Sequence, residues 1–381
     1  MALSAAVIDE VAALEALVPG WDELAEASAL PTSTGTWNLA VARAYGEPVR
    51  VAVVRDGSEI VGIVPLVERQ GPYATRELHI MGANVTVGNA PPSIPGREAD
   101  VAECATAALA RVRPSADRLV LNGMPDRHPW AALMAERWPG AMRRLIKRES
   151  VTTEWLIDAQ PGGYDAWLAA RSARFRSQLR RHHRRLQSLS IRTRVTANTD
   201  ELPRDLEAFS RLHRARWADR GGSRPMQPAL ERTLAEAGPR LLRQGRMFVL
   251  SLETDDRIVG SHVWFNAGGH HLGWLGGFDP ELRGEPLDFV GKAVCIELAF
   301  ARGATSLTLG PGDQEHKRRM TDRQETITSW RLPLRGPRRV TVVGGLAVRH
   351  ARQRHADWRE RRSGGSGLEP PERVEVPGGV Q

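Results

Sequence analysis

The stretch from Phe278 to Asp288 holds residue types that could bind a phosphate group at the start of a helix. A strand is predicted before it and a helix after it, and such a junction offers backbone N–H groups and the positive end of a helix dipole. Arg283 can pair with a phosphate, and Gly284 allows the backbone to approach a ligand closely. The stretch therefore predicts an anion-binding loop with Arg283, Gly284 and Leu287 beside the ligand.

Two residues of the same stretch weaken this interpretation. Pro286 has no backbone N–H to donate, and Asp288 brings a negative charge toward a negative ligand. Asp288 could instead be the N-cap of the helix predicted over 289–302. The loop is thus expected to hold a phosphate with fewer amide contacts than an all-glycine loop would supply.

A second candidate for anion binding is the segment 171–185, which contains seven arginines as well as His182 and His183. A helix here would present positive charge on several faces, with a narrow apolar seam formed by Leu179 and Leu186. Arg180 and Arg181 could capture phosphate or contact an anionic partner. Alternatively, the helix is solvated and its arginine stems pack against a domain junction.

Metal and nucleophile motifs are absent from the sequence. The pairs His182-His183 and His270-His271 are adjacent, so their side chains point to different faces of a helix or strand. There is no His-Glu-x-x-His and no Gly-x-Ser-x-Gly, so a metal site is not expected. The two cysteines, Cys104 and Cys295, do not require a disulfide framework.

Composition sets further bounds on the function. A chain of 381 residues predicts two domains with additional segments. The net charge of +8 is compatible with nucleic-acid binding. No zinc-finger spacing or aromatic RNA-binding motif is present, so sequence-specific DNA binding is not expected. The segment 1–11 contains no lysine or arginine and there is no long apolar run, which favours a cytoplasmic protein.

The two halves of the chain share one pattern of predicted elements. Each contains a hairpin whose returning strand begins with Ile-Val-Gly, at Ile60 and at Ile258. In each half a helix and a further strand follow the hairpin; these pairs are 99–112 with 119–121, and 289–302 with 307–309. The repeat predicts two α/β units, 1–150 and 151–335, followed by a segment 336–381, although α/β proteins also repeat such units by default.

The last segment differs from the two units in composition. Residues 336–362 are rich in arginine and could touch an anionic membrane surface or a partner. A peripheral helix packed on the second unit is the alternative. From Ser363 onward glycine, proline and glutamate dominate, so disorder is expected.

Several segments, in this order, resemble the double-GNAT acyltransferases of the FemABX-like and BioF2-like kinds. The resemblance covers most of residues 20–335. It is carried by the segments 21–24, 174–181, 209–217, 278–288 and 309–317. In the fourth of these, Asp-Pro-x-x-Arg-Gly matches the first half of the pyrophosphate loop of the GNAT family. The resemblance implies an α/β fold of tandem GNAT-like units, each a central mixed sheet flanked by helices.

It also implies an activity and a set of site residues. The expected reaction is transfer of an acyl group from acyl-CoA to the amine of a small molecule or peptide. Fem-like ligases carry an aromatic-lysine pair where this chain has His316-Lys317, so Lys317 is the candidate that polarises the carbonyl. His271 lies near the position that often holds a general base, and Asp313 could orient the amine or cap a turn. Contacts with the substrate are assigned to Arg216, Trp217, Trp274 and His316.

Two other functions stay open at this point. A Fem-like ligase would use aminoacyl-tRNA and act on a peptide or cell-wall precursor, and Pro286 and Asp288 favour this donor. The absence of a long inserted helical hairpin in the second half favours acyl-CoA. A degenerate GNAT-like protein that only binds a ligand is the third possibility.

Overall fold

The structure is a computed structural model that describes residues 3–218, 221–223, 226–312 and 315–335, apart from the side chains of Tyr73 and His316. Asp313 and the segment 336–381 lie outside the described residues, so the expectations for them stay predictions.

The first half of the chain begins with a strand and three helices, continues with three strands, and closes with two helix–strand pairs. Its elements are β1 (Ser4–Ile8), α1 (Val11–Glu15), α2 (Val18–Ala27), α3 (Gly35–Tyr45), β2 (Val49–Asp56), β3 (Glu59–Gln70), β4 (Arg76–Ile80), α4 (Glu98–Arg111), β5 (Arg118–Pro125), α5 (Trp130–Arg137) and β6 (Lys147–Asp158).

Two helices lead into the second half, which then repeats the order of the first with two helices after its opening strand. Its elements are α6 (Gly163–Ala169), α7 (Ala173–Ser188), β7 (Arg192–Val195), α8 (Leu202–Trp217), α9 (Pro228–Arg243), β8 (Met247–Glu253), β9 (Ile258–Ala267), β10 (His270–Phe278), α10 (Leu287–Ala301), β11 (Ser306–Pro311), α11 (Glu315–Met320) and β12 (Arg323–Pro333). Short 3₁₀ turns cover Pro72–Ala74, Arg143–Leu145 and Pro280–Leu282.

All twelve strands belong to one continuous sheet, in the order β1-β2-β3-β4-β5-β12-β6-β11-β10-β9-β8-β7. Within each half, four strands pair antiparallel and the next pair, β4 with β5 or β10 with β11, is parallel. The predicted fold class, a mixed α/β sheet flanked by helices, is confirmed.

The last strand of each half pairs with the other half. Strand β12 pairs with β5, β6 pairs with β11, and β6 and β12 pair with each other in the middle of the sheet. This exchange was not anticipated from the sequence. The predicted division at residue 150 falls inside β6, and its value as a domain boundary stays a prediction.

Helices of both halves pack against each other on one face of the sheet. The ring of Trp37 on α3 lies 4.9 Å from that of Phe265 and 5.5 Å from that of Trp274, both from the second half. Because burial of aromatic side chains contributes strongly to packing energy, this cluster fixes the first half against β9 and β10. The other face of the second half is covered by α6, α7 and α10 around Trp264 and Ile296.

Candidate functional site

Strands β10 and β11 separate at their carboxyl ends. Among the described residues they pair only over His270–Leu272 and Ser306–Thr308, although β10 continues to Phe278 and β11 to Pro311. Helix α8 lies close against β10 beyond this point, since a Cβ on Gly277 would stand 2.4 Å from the backbone nitrogen of His213. The two strands stay in contact at Gly273 and Gly310, where a Cβ on Gly310 would stand 2.6 Å from the carbonyl oxygen of Gly273. The unpaired region beyond this contact is called the gap.

Lys317 on α11 reaches into this region with its side chain almost fully buried, at 5% exposure. Its Nζ donates hydrogen bonds to the carbonyl oxygens of Gly310 at 3.1 Å and Pro311 at 2.6 Å. Burial lowers the pKa of Lys317 to about 7, and nearby Lys292 and Arg216 act in the same direction, while Asp288 and Glu154 oppose the shift. Lys317 can therefore exchange a proton near neutral pH.

A second lysine lies beside the first, at the beginning of α10. The Nζ of Lys292 donates to both carboxylate oxygens of Asp288, at 2.6 and 2.7 Å. Asp288 is in the first turn of α10 and the N-cap position belongs to Pro286, so the alternative of Asp288 as N-cap is wrong. The carboxylate is held by the neighbouring ammonium one turn later.

The lysine count is a signal that the sequence interpretation missed. The chain has 53 Lys and Arg residues, of which only Lys147, Lys292 and Lys317 are lysines. Two of these three lie together at the gap. A lysine can lose its proton in a buried site whereas an arginine cannot, so these two positions hold the side chain that is able to exchange a proton.

In the loop before α10, some backbone N–H groups that could bind an anion already donate hydrogen bonds within the loop. The N–H of Glu285 donates to Leu282, and the N–H of Leu287 donates to Glu285, both at 2.9 Å. Gly284 has no left-handed backbone, and a Cβ there would meet no atom within 4 Å, so nothing described requires glycine. Arg283 and Gly284 are exposed, whereas the side chain of Leu287 is buried in the core.

Helix α7 lies next to this loop. The guanidinium of Arg185 donates to both carboxylate oxygens of Glu285, at 2.9 and 2.6 Å, and thereby ties α7 to the loop. Arg180 and Arg181, about one turn earlier, are exposed, while Leu179 and Leu186 are buried along the predicted seam. One side of the helix therefore packs against the core, and the other exposes Arg180 and Arg181 to solvent. Their role in binding phosphate stays a prediction.

Arg216 lies where the carboxyl end of α8 meets β10. Its guanidinium stacks over the rings of Phe278 at 5.1 Å and Trp217 at 5.9 Å, and it interacts with Lys317. Trp217 is half-buried, and Trp274 belongs to the aromatic core, where its Nε1 donates to Val85 at 3.1 Å. Of the predicted substrate contacts, the structure brings Arg216 and Trp217 to the gap and places Trp274 among packed rings.

His271 lies at the other end of β10. Its ring is 1% exposed, burial lowers its pKa to about 4, and its backbone pairs with Asn266 and Leu307. Gly273, two residues further along β10, lies beside Gly310, because a Cβ on Gly310 would stand 2.6 Å from the carbonyl oxygen of Gly273. The role of His271 as a general base stays a prediction. The side chain of His316 and the whole of Asp313 are outside the described part.

The first half contributes an acidic group, Glu154 on β6, which stands opposite Pro311 of β11 and Glu325 of β12. Its side chain is 1% exposed, and Oε1 has no hydrogen-bond partner among the described residues. Burial raises the pKa of Glu154 against the opposing influence of Arg127 and Lys317. Sequence interpretation missed this residue, because a single glutamate in an alternating strand is typical of a solvent-facing position.

Other features of the described chain lie apart from this gap. A cavity of about 600 Å³ lies near the carboxyl ends of α9 and α10, where Arg243, Met247 and Arg302 contribute to its lining. Within the described ranges no three His, Cys, Asp or Glu side chains are arranged to hold a metal ion. No helix in those ranges has the length and apolar character needed to cross a membrane.

Comparison with known proteins gives a consistent assignment of the fold. Residues 173–318 match the family model described as an acetyltransferase (GNAT) domain. No curated protein matches the chain. Among solved structures, FemX superposes with a TM-score of 0.59 at 11% identity, over 82% of this chain and 95% of that one.

Two further structures resemble the chain over most of its length. L-PGS from Bacillus licheniformis gives a TM-score of 0.54 at 12% identity, over 90% of this chain and 96% of that one. The C-terminal domain of a protein assigned as a lysylphosphatidylglycerol synthetase from Agrobacterium fabrum gives 0.54 at 10% identity, over 88% and 96%. Residues 173–318 therefore match a GNAT acetyltransferase domain, and the chain as a whole shares its fold with FemX and L-PGS.

Proposed function

We propose that this chain transfers an acyl group from acyl-CoA to the amine of a small molecule or peptide, with Lys317 at the reaction centre. The observation that carries the proposal is the buried Nζ of Lys317, anchored on two carbonyl oxygens where β10 and β11 separate. The match of residues 173–318 to the acetyltransferase domain supports the same reaction class.

The chemistry requires a neutral amine, a positioned acyl donor and stabilisation of the negative charge that forms on the carbonyl oxygen. As an ammonium, Lys317 can stabilise that charge in a site from which water is largely excluded. Lys292 and Arg216 add positive charge nearby. The carbonyls of Gly310 and Pro311 hold Nζ in place before the donor binds, so little reorganisation is needed.

Side chains, more than backbone amides, would hold the donor phosphates. The loop offers Arg283 at its exposed surface, and α7 presents Arg180 and Arg181 near its junction with the loop. Acyl-CoA carries several phosphate groups, so such guanidinium groups can compensate for the missing amide of Pro286.

A second donor, aminoacyl-tRNA, is favoured by one specific observation. The carboxylates of Glu285 and Asp288 flank Pro286, and the amides of Glu285 and Leu287 are already donated within the loop. This arrangement is poor for a pyrophosphate held by backbone amides. A Fem-like ligase acting on a peptide or cell-wall precursor would not need that contact. A protein that only binds a ligand would use the same surface without turnover.

The test is a donor panel read by mass spectrometry of acylated amines. The purified chain is incubated with acetyl-CoA, longer acyl-CoAs or aminoacyl-tRNA, together with a mixture of small amines and peptides. Transfer from acyl-CoA that falls on the order of 10²-fold in Lys317→Ala supports the proposal. If transfer occurs only from aminoacyl-tRNA, then aminoacyl-tRNA and not acyl-CoA is the donor. If a donor binds but no transfer occurs, the chain is a binding protein without this activity.

The matched control is Lys147→Ala, which changes one of the two other lysines at a position where it pairs with Glu149 on β6. Both variants are checked by circular dichroism and thermal melting. Full activity in a folded Lys317→Ala variant would remove Lys317 from the mechanism.

A further inference from the structure

Glu154 occupies an unusual place for a carboxylate. It is on the strand that the first half inserts between β11 and β12, and its backbone stands opposite Pro311, the residue whose carbonyl accepts a hydrogen bond from Lys317. Among the described residues it forms no ion pair with Lys317, although the two groups interact electrostatically. Its Oε1 is buried and has no hydrogen-bond partner in the part of the chain that the structure describes.

The charged groups around Glu154 are already engaged with other partners. Arg127 forms an ion pair with Glu325, and its backbone N–H donates to the same carboxylate at 3.0 Å. Lys317 is held by two carbonyl oxygens. A buried carboxylate oxygen without a described partner costs free energy, and a catalytic role is one explanation for such a group.

We propose that Glu154 is the general base of the Lys317 site and accepts a proton from the acceptor amine. This inference rests on the proposed acyl transfer and extends it to the first half of the chain. An amine acceptor would enter the site mainly as an ammonium at neutral pH, so a base is needed to free its lone pair.

The proposed reaction moves two protons from the acceptor nitrogen. The ammonium of the acceptor gives one proton to the carboxylate of Glu154, and the nitrogen then attacks the carbonyl carbon of the donor. The bond from that carbon to the leaving sulfur or oxygen breaks, and the leaving atom takes the second proton from nitrogen. The one proton that the reaction releases leaves Glu154 when the products depart and water enters the site.

The pKa of Glu154, raised by burial, suits this role because a base works best when its pKa approaches the working pH. The same shift predicts the effect on stability. A carboxylate with a raised pKa destabilises the folded protein above its folded-state pKa, and the cost disappears below its ordinary pKa. Glu154→Gln removes the charge, so the variant should melt at the same temperature as the wild type or higher at pH 7.

The test compares Glu154→Gln with Asp158→Asn, which alters an exposed carboxylate on the same strand. With saturating donor, Glu154→Gln should lower kcat at pH 7 on the order of 10²-fold and should leave KM for the donor unchanged. Its remaining activity should rise with pH as the acceptor loses its own proton. Glu154→Asp keeps a carboxylate and should recover part of the rate.

Several outcomes would overturn the inference. A normal kcat in folded Glu154→Gln would exclude the base role. A lower melting temperature together with an unchanged pH profile would show that Glu154 only balances the charges of Arg127 and Lys317. If the wild type transfers no acyl group from any donor, the proposed function and the base role fail together.

A measurement that does not depend on activity separates the two proposals. The chain has three lysines, so ¹³C labelling at lysine Cε allows the titration of Lys317 to be followed by NMR. Because Glu154 raises the pKa of Lys317, Glu154→Gln should lower it. An unchanged pKa of Lys317 would show that the two groups do not share a site, whatever the activity.

Discussion

Replacing Lys317 by methionine should stabilise the protein in a pH-dependent way. The fall in its pKa from 10.5 to about 7 corresponds to ~5 kcal/mol of preference for the neutral amine in the folded state, at ~1.4 kcal/mol per tenfold change in proton affinity. Below pH 7 the folded protein must bury the ammonium, so the full cost is present there. The cost decreases as the pH rises above 7 and is absent above about pH 10.5.

Between pH 6 and pH 9 about 3 kcal/mol of this cost should disappear, by the same linkage. The difference in unfolding free energy between Lys317→Met and the wild type should therefore be larger at pH 6 by that amount. The hydrogen bonds lost at Gly310 and Pro311 reduce the difference equally at both pH values. Urea unfolding followed by circular dichroism at pH 6 and pH 9 measures it.

The control for this experiment is Lys147→Met, in which the lost group is the partner of Glu149 in a pair near the surface. Such a pair contributes about 0.2–1 kcal/mol, so its difference between the two pH values should stay below about 1 kcal/mol. If the difference for Lys317→Met is the same at pH 6 and pH 9, the ammonium is not destabilised by burial, and the reasoning that assigns Lys317 to proton exchange near neutral pH is refuted.

Two further predictions concern residues singled out from the sequence. Arg180→Ala/Arg181→Ala should weaken donor binding about tenfold, as measured by calorimetry, because two exposed guanidinium groups near the loop are lost. The control is the exposed pair Arg111→Ala/Arg243→Ala. Equal donor affinities of the wild type and the Arg180→Ala/Arg181→Ala variant would refute the phosphate role. His271→Asn should change kcat by less than about threefold, because burial lowers the pKa of His271 to about 4 and makes it a weak base at neutral pH. It should lower stability by about 1–3 kcal/mol, because the ring is buried. A loss of activity on the order of 10²-fold in a folded variant would show that His271 acts in the reaction.

Local patterns were sufficient to predict the central hairpin, helix and strand of each half. The apolar alternation around Ile60 and Ile258 predicts hairpins, and the structure has them as β2–β3 and β8–β9. The alanine-rich helix predicted over 99–112 is α4, at Glu98–Arg111. These elements follow from contacts close in sequence, where periodicity is informative.

Long-range pairing could not be predicted in the same way. Strands β6 and β12 each follow the last helix of their half, and nothing in their alternation indicates that each pairs with the other half. The exchange also determines whether the side chain of Glu154 is buried or exposed. On a terminal strand with a solvent-facing side it would be exposed, but between β11 and β12 it is buried. Without the pairing, its burial and its place opposite Pro311 could not be inferred.

The strand exchange also explains why two similar halves should form one reaction centre. Gly123 on β5 and Gly310 on β11 share a left-handed backbone, with φ of +71° and +75°, so both strands carry a similar irregularity shortly before they end. At the end of β5, however, Arg127 pairs with Glu325 of β12, and Asp126 accepts a hydrogen bond from Thr328 at 3.1 Å.

That region of the first half is therefore occupied by β12 and its ion pair, and the first half has no lysine there, since its one lysine, Lys147, lies on β6 beside Glu149. The corresponding end of β11 receives β6, which brings Glu154 next to the residue that anchors Lys317. Each half thus supplies what the other lacks, because the second half provides the lysine and the first half provides the carboxylate. Separating the halves would remove Glu154 from Lys317, so the proposed chemistry requires the whole sheet.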